Sequence, residues 1–156
     1  GYFFMTGDEV FFMHLTPAVV KQWIGDEVPA DLRIEDLADE LAERFHPFFL
    51  IPDAQRAKSD GCEAAWRLLL GDCTIVLGAP ADTAVVASLL VGVCEGQLRD
   101  AAAIERKVEA LGYHDAERDR IVRAVVPYAE AVARGGGEPP RGPRGLTQSP
   151  AERRNG

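Results

Sequence analysis

The chain of 156 residues is 47% hydrophobic and 27% charged, which is the composition of one globular domain that can form a core without disulfides or metals. Its net charge is −8, and residues 1–134 alone carry 13 basic and 23 acidic groups. Because proteins bind nucleic acids largely by neutralising phosphates, this acidity argues against nucleic-acid binding and favours a partner protein with a basic surface.

The N-terminal residues predict a hairpin followed by a short helix. Residues 1–15 contain two aromatic runs separated by Thr-Gly-Asp-Glu, which favours two strands joined by a turn. Thr16 and Pro17 then predict a helix start, because threonine caps a helix and proline suits its first position. This helix should run through Trp23 and stop at Gly25.

Residues 34–46 give the clearest helical pattern. Apolar residues recur at spacings of three and four, which places them on one face, while acidic residues occupy the opposite face. Pro47 should end this helix, and residues 48–51 are interpreted as a compact apolar plug closed by Pro52. A further helix is predicted from about Gly61 to Leu70. The apolar face of helix 34–46 comprises Ile34, Leu37, Ala38, Leu41, Ala42 and Phe45.

Residues 73–98 are the most apolar part of the chain and are predicted to form the centre of its core. A membrane span is rejected because Gly78, Pro80 and Asp82 would place a helix break and a carboxylate in hydrocarbon. Residues 73–79 are either a short buried strand or the end of a helix that began near residue 62. In both cases a new helix follows over 83–97, with Asp82 predicted as its N-cap.

The C-terminal part predicts two antiparallel helices and a tail. A helix over 100–111 ends at Gly112, and Asp115 is predicted to cap a last helix that reaches residue 134. From residue 135 the sequence is rich in glycine, proline and arginine and too poor in apolar residues to fold, so 135–156 is predicted to be disordered. The predicted protein is therefore all-α: a bundle of about six helices over 1–134, with a small N-terminal hairpin and a disordered tail.

No catalytic, cofactor-binding or metal-binding residue is predicted. His14, His46 and His114 have no partner histidine at helical spacing, and no phosphate-binding loop or nucleophile motif is present. The His114-Asp115 dipeptide occurs without the other residues of a metal-dependent phosphohydrolase. Three cysteines without a CxxC pair favour reduced thiols, and the absence of an export signal favours the cytoplasm.

The predicted function is a non-enzymatic protein-interaction or adaptor module that binds a basic partner, with no cofactor, nucleic acid or membrane involved. One alternative is an enzyme or ligand-binding protein whose cavity is lined by helices 62–98. A further alternative is a DNA-associated regulator that uses helix 115–134, where Arg118, Arg120 and Arg123 cluster. The predicted interaction surface is the acidic face of helix 34–46, which would steer the partner electrostatically. Its residues are Glu35, Asp36, Asp39, Glu40 and Glu43.

Overall fold

The computed structural model describes residues 1–59 and 61–140. Most of the C-terminal tail, 135–156, which is predicted to be disordered, therefore lies outside the described residues. The described chain is a mixed α/β protein, and the prediction of an all-α bundle is wrong. Its strands are β1 (Tyr2–Thr6), β2 (His14–Leu15), β3 (Leu32–Arg33), β4 (His46–Ile51) and β5 (Thr74–Val76). Its helices are α1 (Pro17–Trp23), α2 (Ile34–Arg44), α3 (Ala54–Ser59), α4 (Cys62–Leu70), α5 (Thr83–Cys94), α6 (Ala101–Ala110) and α7 (Asp115–Arg134).

A three-stranded parallel sheet in the order β1–β4–β5 forms the centre of the fold. Tyr2 is paired with His46 in β4, so β1 does not form the predicted hairpin with the residues that follow it. The second aromatic run instead leads into β2, which forms a separate antiparallel pair with β3. A parallel pair needs a long crossover connection, and here residues 7–45 supply it.

The residues interpreted as an apolar plug are the central strand, β4. Phe48, Leu50 and Ile51 are fully buried, because β4 has a strand on each side and helices on both faces of the sheet. Phe48 packs edge-on against Tyr128 of α7, with 5.1 Å between ring centroids. Phe49 points to the other face and stacks on Trp66 of α4 at 3.6 Å. Successive residues of one strand, Phe48 and Phe49, thus hold helices to opposite faces of the sheet.

The apolar run 73–98 is buried as predicted, and it forms two elements. Thr74–Val76 is a strand, which decides between the two predictions for its first part, and α5 follows after the turn. In the described part of the chain, no helix combines the length and apolar character needed to cross a bilayer. The buried residues of this run include Cys73, Ile75, Leu77, Val85, Val86, Leu89, Leu90, Val93 and Leu98.

Asp82 has a different role from the predicted N-cap. Its side chain makes no capping hydrogen bond and is instead held by Arg120 of α7, whose Nε and Nη2 donate to the two carboxylate oxygens at 2.6 and 2.9 Å. Asp82 is only 2% exposed. The Arg120 side chain crosses directly over Gly78, where an added Cβ would lie 1.9 Å from Arg120 Cγ. This ion pair therefore fixes the β5–α5 connection to α7.

Some of the other helix ends follow the predicted signals, and two do not. The helix predicted over 34–46 ends at Arg44, because Phe45 is already extended and exposed and His46 begins β4. Thr16 caps α1 through a hydrogen bond from the Val19 amide at 3.4 Å. Gly112, with φ of +90°, follows α6 in the left-handed conformation that glycine adopts readily. Asp115 is the first residue of α7 and not its cap, and His114 occupies the cap position without a side-chain hydrogen bond.

Candidate functional site

The five acidic residues predicted to bind a partner lie on α2 but do not form one uniformly exposed face. Asp36, Glu40 and Glu43 are exposed, whereas Glu35 and Asp39 are half-buried. Glu35 lies 3.5 Å from Arg33 Nε, and Glu40 lies 3.7 Å from a terminal nitrogen of Arg44. Both pairs involve an exposed arginine and neutralise part of the acidic surface only weakly.

A second surface, which sequence reasoning did not identify, carries large exposed apolar side chains. Trp23 is 79% exposed, Phe12 is 78% exposed and Ile24 is 66% exposed. Together with Val19 they line a groove of about 500 Å³, whose remaining walls are His14, Leu15 and Val20. We refer to Phe12, Val19, Trp23 and Ile24 as the apolar surface. Monomeric proteins rarely expose such a group of neighbouring large side chains unless another molecule covers it.

The short helix α1 carries this surface because most of its apolar face is left uncovered by the rest of the fold. At about 100° per residue, Val19, Trp23, Val20 and Ile24 lie within a sector of roughly 140°, which is the width of one apolar helix face. Such a face is normally buried, but here Val20 is the one buried residue of α1 and the other three side chains are exposed. No local signal in the sequence therefore indicates that this face is exposed.

The apolar surface is continuous with the acidic helix. β2, which follows Phe12 and Met13, pairs with β3, and β3 leads directly into α2. The Ile34 amide donates to the Met13 carbonyl at 3.1 Å, so the start of α2 is fixed beside the apolar surface. Asp26 and Glu27 follow the apolar surface in the chain, and Glu27 pairs with Lys21 at 2.7 Å. Lys21 of α1 and Arg33, which is paired with His14, are basic residues of the same neighbourhood, so the acidic excess near the apolar surface comes chiefly from α2.

A hydrogen-bonded network of aromatic and thiol groups lies at the amino ends of the parallel strands. Tyr128 Oη lies 2.9 Å from His46 Nε2 and 3.2 Å from Cys94 Sγ, while Cys73 Sγ lies 3.6 Å from the same nitrogen of His46. Burial raises the pKa of Cys73 to about 12 and also raises the pKa values of Cys94 and Tyr128. The raised pKa values disfavour the thiolate forms of Cys73 and Cys94, and the thiolate is the form that acts as a nucleophile.

An open cleft of about 610 Å³ lies beside this network. His46 forms part of its wall, and the Tyr2 hydroxyl hydrogen-bonds to Glu95 at its rim. Of residues 62–98, Glu95 alone lines this cleft, so it is not the cavity that the ligand-binding alternative predicts. Within residues 1–59 and 61–140, no three histidine, cysteine or acidic side chains are arranged to hold a metal ion.

The arginines of helix α7 are largely engaged within the protein. Arg118 lies 2.8 Å from Glu109 and 2.9 Å from Asp119, and Arg120 holds Asp82. Hydrogen bonds to these carboxylates raise the pKa values of both arginines, so both remain charged. Two of the three arginines on which the DNA-associated alternative rests are therefore paired with carboxylates of the same chain.

The chain matches no protein-family model, no curated protein sequence and no solved structure. Its function is therefore argued from the geometry of its surfaces.

Proposed function

We propose that this protein is a non-enzymatic interaction module that binds a partner protein at the apolar surface, with the acidic residues of α2 as a flanking electrostatic region. The observation that carries the proposal is the exposure of Trp23 and Phe12 in one groove. The three cysteines form no disulfide among the described residues, which supports a reducing compartment such as the cytoplasm.

The exposed side chains have the character of an interface centre. Tryptophan is enriched among the residues that contribute most to binding, because it buries a large area at little conformational cost. Trp23 and Phe12 lie in a groove and not on a flat surface, so an inserted side chain would contact several of them at once. This arrangement suits a partner segment with large apolar side chains on one side.

The charge around the groove defines the rest of the partner. The body carries ten more acidic than basic groups over residues 1–134, and α2, whose first residue is hydrogen-bonded to Met13, carries the exposed acids Asp36 and Glu40. Two copies of this chain would repel each other through these charges. We therefore assign the groove to an amphipathic segment of another protein in which lysine or arginine residues flank the apolar face.

The test uses a synthetic amphipathic helix with a leucine and phenylalanine stripe, lysines and arginines elsewhere, and no tryptophan. Trp23 is its natural reporter, because the second tryptophan, Trp66, is only 9% exposed and stacked on Phe49. We expect the peptide to shift the fluorescence of Trp23 to shorter wavelength. Replacing Phe12 and Ile24 with serine should weaken binding by about thirtyfold or more, the effect of losing a central apolar contact.

The matched control is Leu68→Ser, because Leu68 is 83% exposed on α4 and is not part of the groove. This variant should bind as the original chain does. A peptide with the same apolar stripe and glutamates in place of the basic residues should bind at least about tenfold more weakly. Three results would contradict the proposal. The Leu68 variant could lose as much affinity as the groove variant, the protein could self-associate in sedimentation, or Phe12→Ser and Ile24→Ser could leave the affinity unchanged.

The acidic helix is expected to affect the rate of binding more than its final strength. Replacing Asp36, Asp39, Glu40 and Glu43 with their amides should slow association with the basic peptide and reduce its salt dependence, because exposed charges act through steering over about 8 Å. Stopped-flow measurements of Trp23 fluorescence at low and high salt provide the rates. Unchanged association at low salt would show that this face serves solubility alone.

A further inference from the structure

Thr74 carries a buried hydroxyl that has no hydrogen-bond partner. The residue is 1% exposed in β5, and its Oγ1 atom is unpaired among the described residues. Most buried polar groups in proteins are paired, because an unpaired one loses its hydration without compensation. A threonine at an edge strand could be replaced by valine at nearly the same volume, so the hydroxyl calls for an explanation.

Thr74 lines a small pocket at the outer edge of the sheet, between α4 and α7. The pocket has a volume of about 160 Å³, which is well below the roughly 300–1,000 Å³ of sites for drug-sized ligands. It therefore suits an ion or a single functional group. Its walls come from β5, from Asp72 in the turn between α4 and β5, and from the facing sides of the two helices. They include Arg67, Asp72, Thr74, Arg123, Pro127 and Tyr128.

Two guanidinium groups and one carboxylate line the pocket, so its lining carries one net positive charge. Arg123 has no ion pair among the residues that the structure describes. Arg67 uses its Nε to bind Glu63 at 2.8 Å, which leaves the other donors of its five-donor guanidinium for a ligand. Asp72 is the one acidic wall residue and opposes the two arginines. Two arginines against one aspartate favour an anion with several oxygen acceptors, because arginine binds planar and tetrahedral oxyanions through paired hydrogen bonds.

We infer that this pocket binds a small oxyanion, with phosphate chemistry as its class: Arg67 and Arg123 neutralise the charge, and the Thr74 hydroxyl donates to one oxygen. The ligand is either free inorganic phosphate or the phosphoryl group of a small phosphomonoester. The site lies on the sheet edge at β5 and is independent of the apolar surface. It adds ligand binding to a protein whose proposed function is interaction.

The test is calorimetric titration of the full chain with inorganic phosphate and, separately, with glycerol phosphate, in chloride buffer at constant ionic strength. Arg123→Gln should weaken binding about tenfold, the usual effect of losing a hydrogen bond to a charged group. Thr74→Val should weaken it by a similar factor without lowering the thermal midpoint of the phosphate-free protein, because no hydrogen bond of the free protein is lost. Thr74→Ser, which keeps the hydroxyl, should restore binding.

Arg106→Gln is the matched control, because Arg106 is an exposed arginine on α6 that does not line the pocket. It should bind phosphate as the original chain does. Tighter binding of one of the two ligands identifies the source of the oxyanion and supports the site. The inference would be overturned if phosphate did not bind, or if the Arg106 variant lost as much affinity as the Arg123 variant. Full binding by the Thr74→Val variant would also overturn it, because it would show that an exposed arginine alone attracts the anion.

Discussion

Replacing Arg120 with methionine is expected to lower the free energy of unfolding by about 3–5 kcal/mol, one of the two largest effects we expect in this protein. The Asp82 carboxylate is almost wholly buried, and both of its oxygens accept from Arg120. Without the guanidinium, a buried charge loses the group that compensates for its lost hydration. Chemical denaturation monitored by circular dichroism gives the free energy.

Variants of Asp82 separate this role from helix capping. Asparagine is as good an N-cap as aspartate, so Asp82→Asn would be nearly neutral if the residue capped α5. Because it pairs with Arg120 instead, we expect Asp82→Asn to be clearly destabilising. The double variant Asp82→Leu with Arg120→Met should recover part of the loss, since two apolar groups leave no buried charge. A cost below about 1 kcal/mol for Arg120→Met would show that the ion pair is not a buried clamp.

Leu50→Ala is expected to cost about 2–5 kcal/mol, the range for removing a large apolar side chain from a core that relaxes only partly. Leu50 is fully buried in β4, where it is paired with Thr6 of β1 and Ile75 of β5. A cavity at this point affects all three strands of the sheet. The same denaturation experiment measures the loss.

Leu68→Ala provides the comparison, because the same side chain is removed from a position that is 83% exposed. Its effect should stay within about 0.5 kcal/mol, as for most surface substitutions. Similar costs at the two positions would mean that β4 does not lie at the centre of the core.

Most of the helices could be predicted from the sequence because their signals are local, but α3 (Ala54–Ser59) was missed, since residues 53–60 were interpreted as a polar connector. The cap at Thr16 and Pro17, the three-to-four spacing in α2 and the glycine after α6 each act within one or two turns. The sheet could not be predicted in the same way. β4 is buried on both faces, so HPFFLI has no alternation of polar and apolar residues, and its partners lie far away in the chain. Because the pairing of β1 with β4 is not visible in the local sequence, the two aromatic runs near the N terminus were predicted to pair with each other as a hairpin.

The candidate sites were harder to predict than the helices, since each depends on distant residues. Asp82 carries a sound local signal for a cap, but Arg120, 38 residues later, determines its contacts. The exposure of Trp23 also depends on what packs beside α1, and an apolar residue in a short helix is expected to be buried. The spacing of the acidic residues of α2 could be read from the sequence, but the half-burial of Glu35 and Asp39 could not, because it depends on the elements that pack beside α2.

Hydrogen–deuterium exchange of the full chain, with and without the basic amphipathic peptide, tests the proposed interface most directly. Backbone amides exchange slowly where a bound partner excludes solvent or stabilises the local fold. Binding at the apolar surface should slow exchange over residues 11–25 in the original chain and leave it unchanged in the Phe12→Ser, Ile24→Ser variant. Slower exchange confined to α2 or to the cleft beside His46, with residues 11–25 unaffected, would contradict the account.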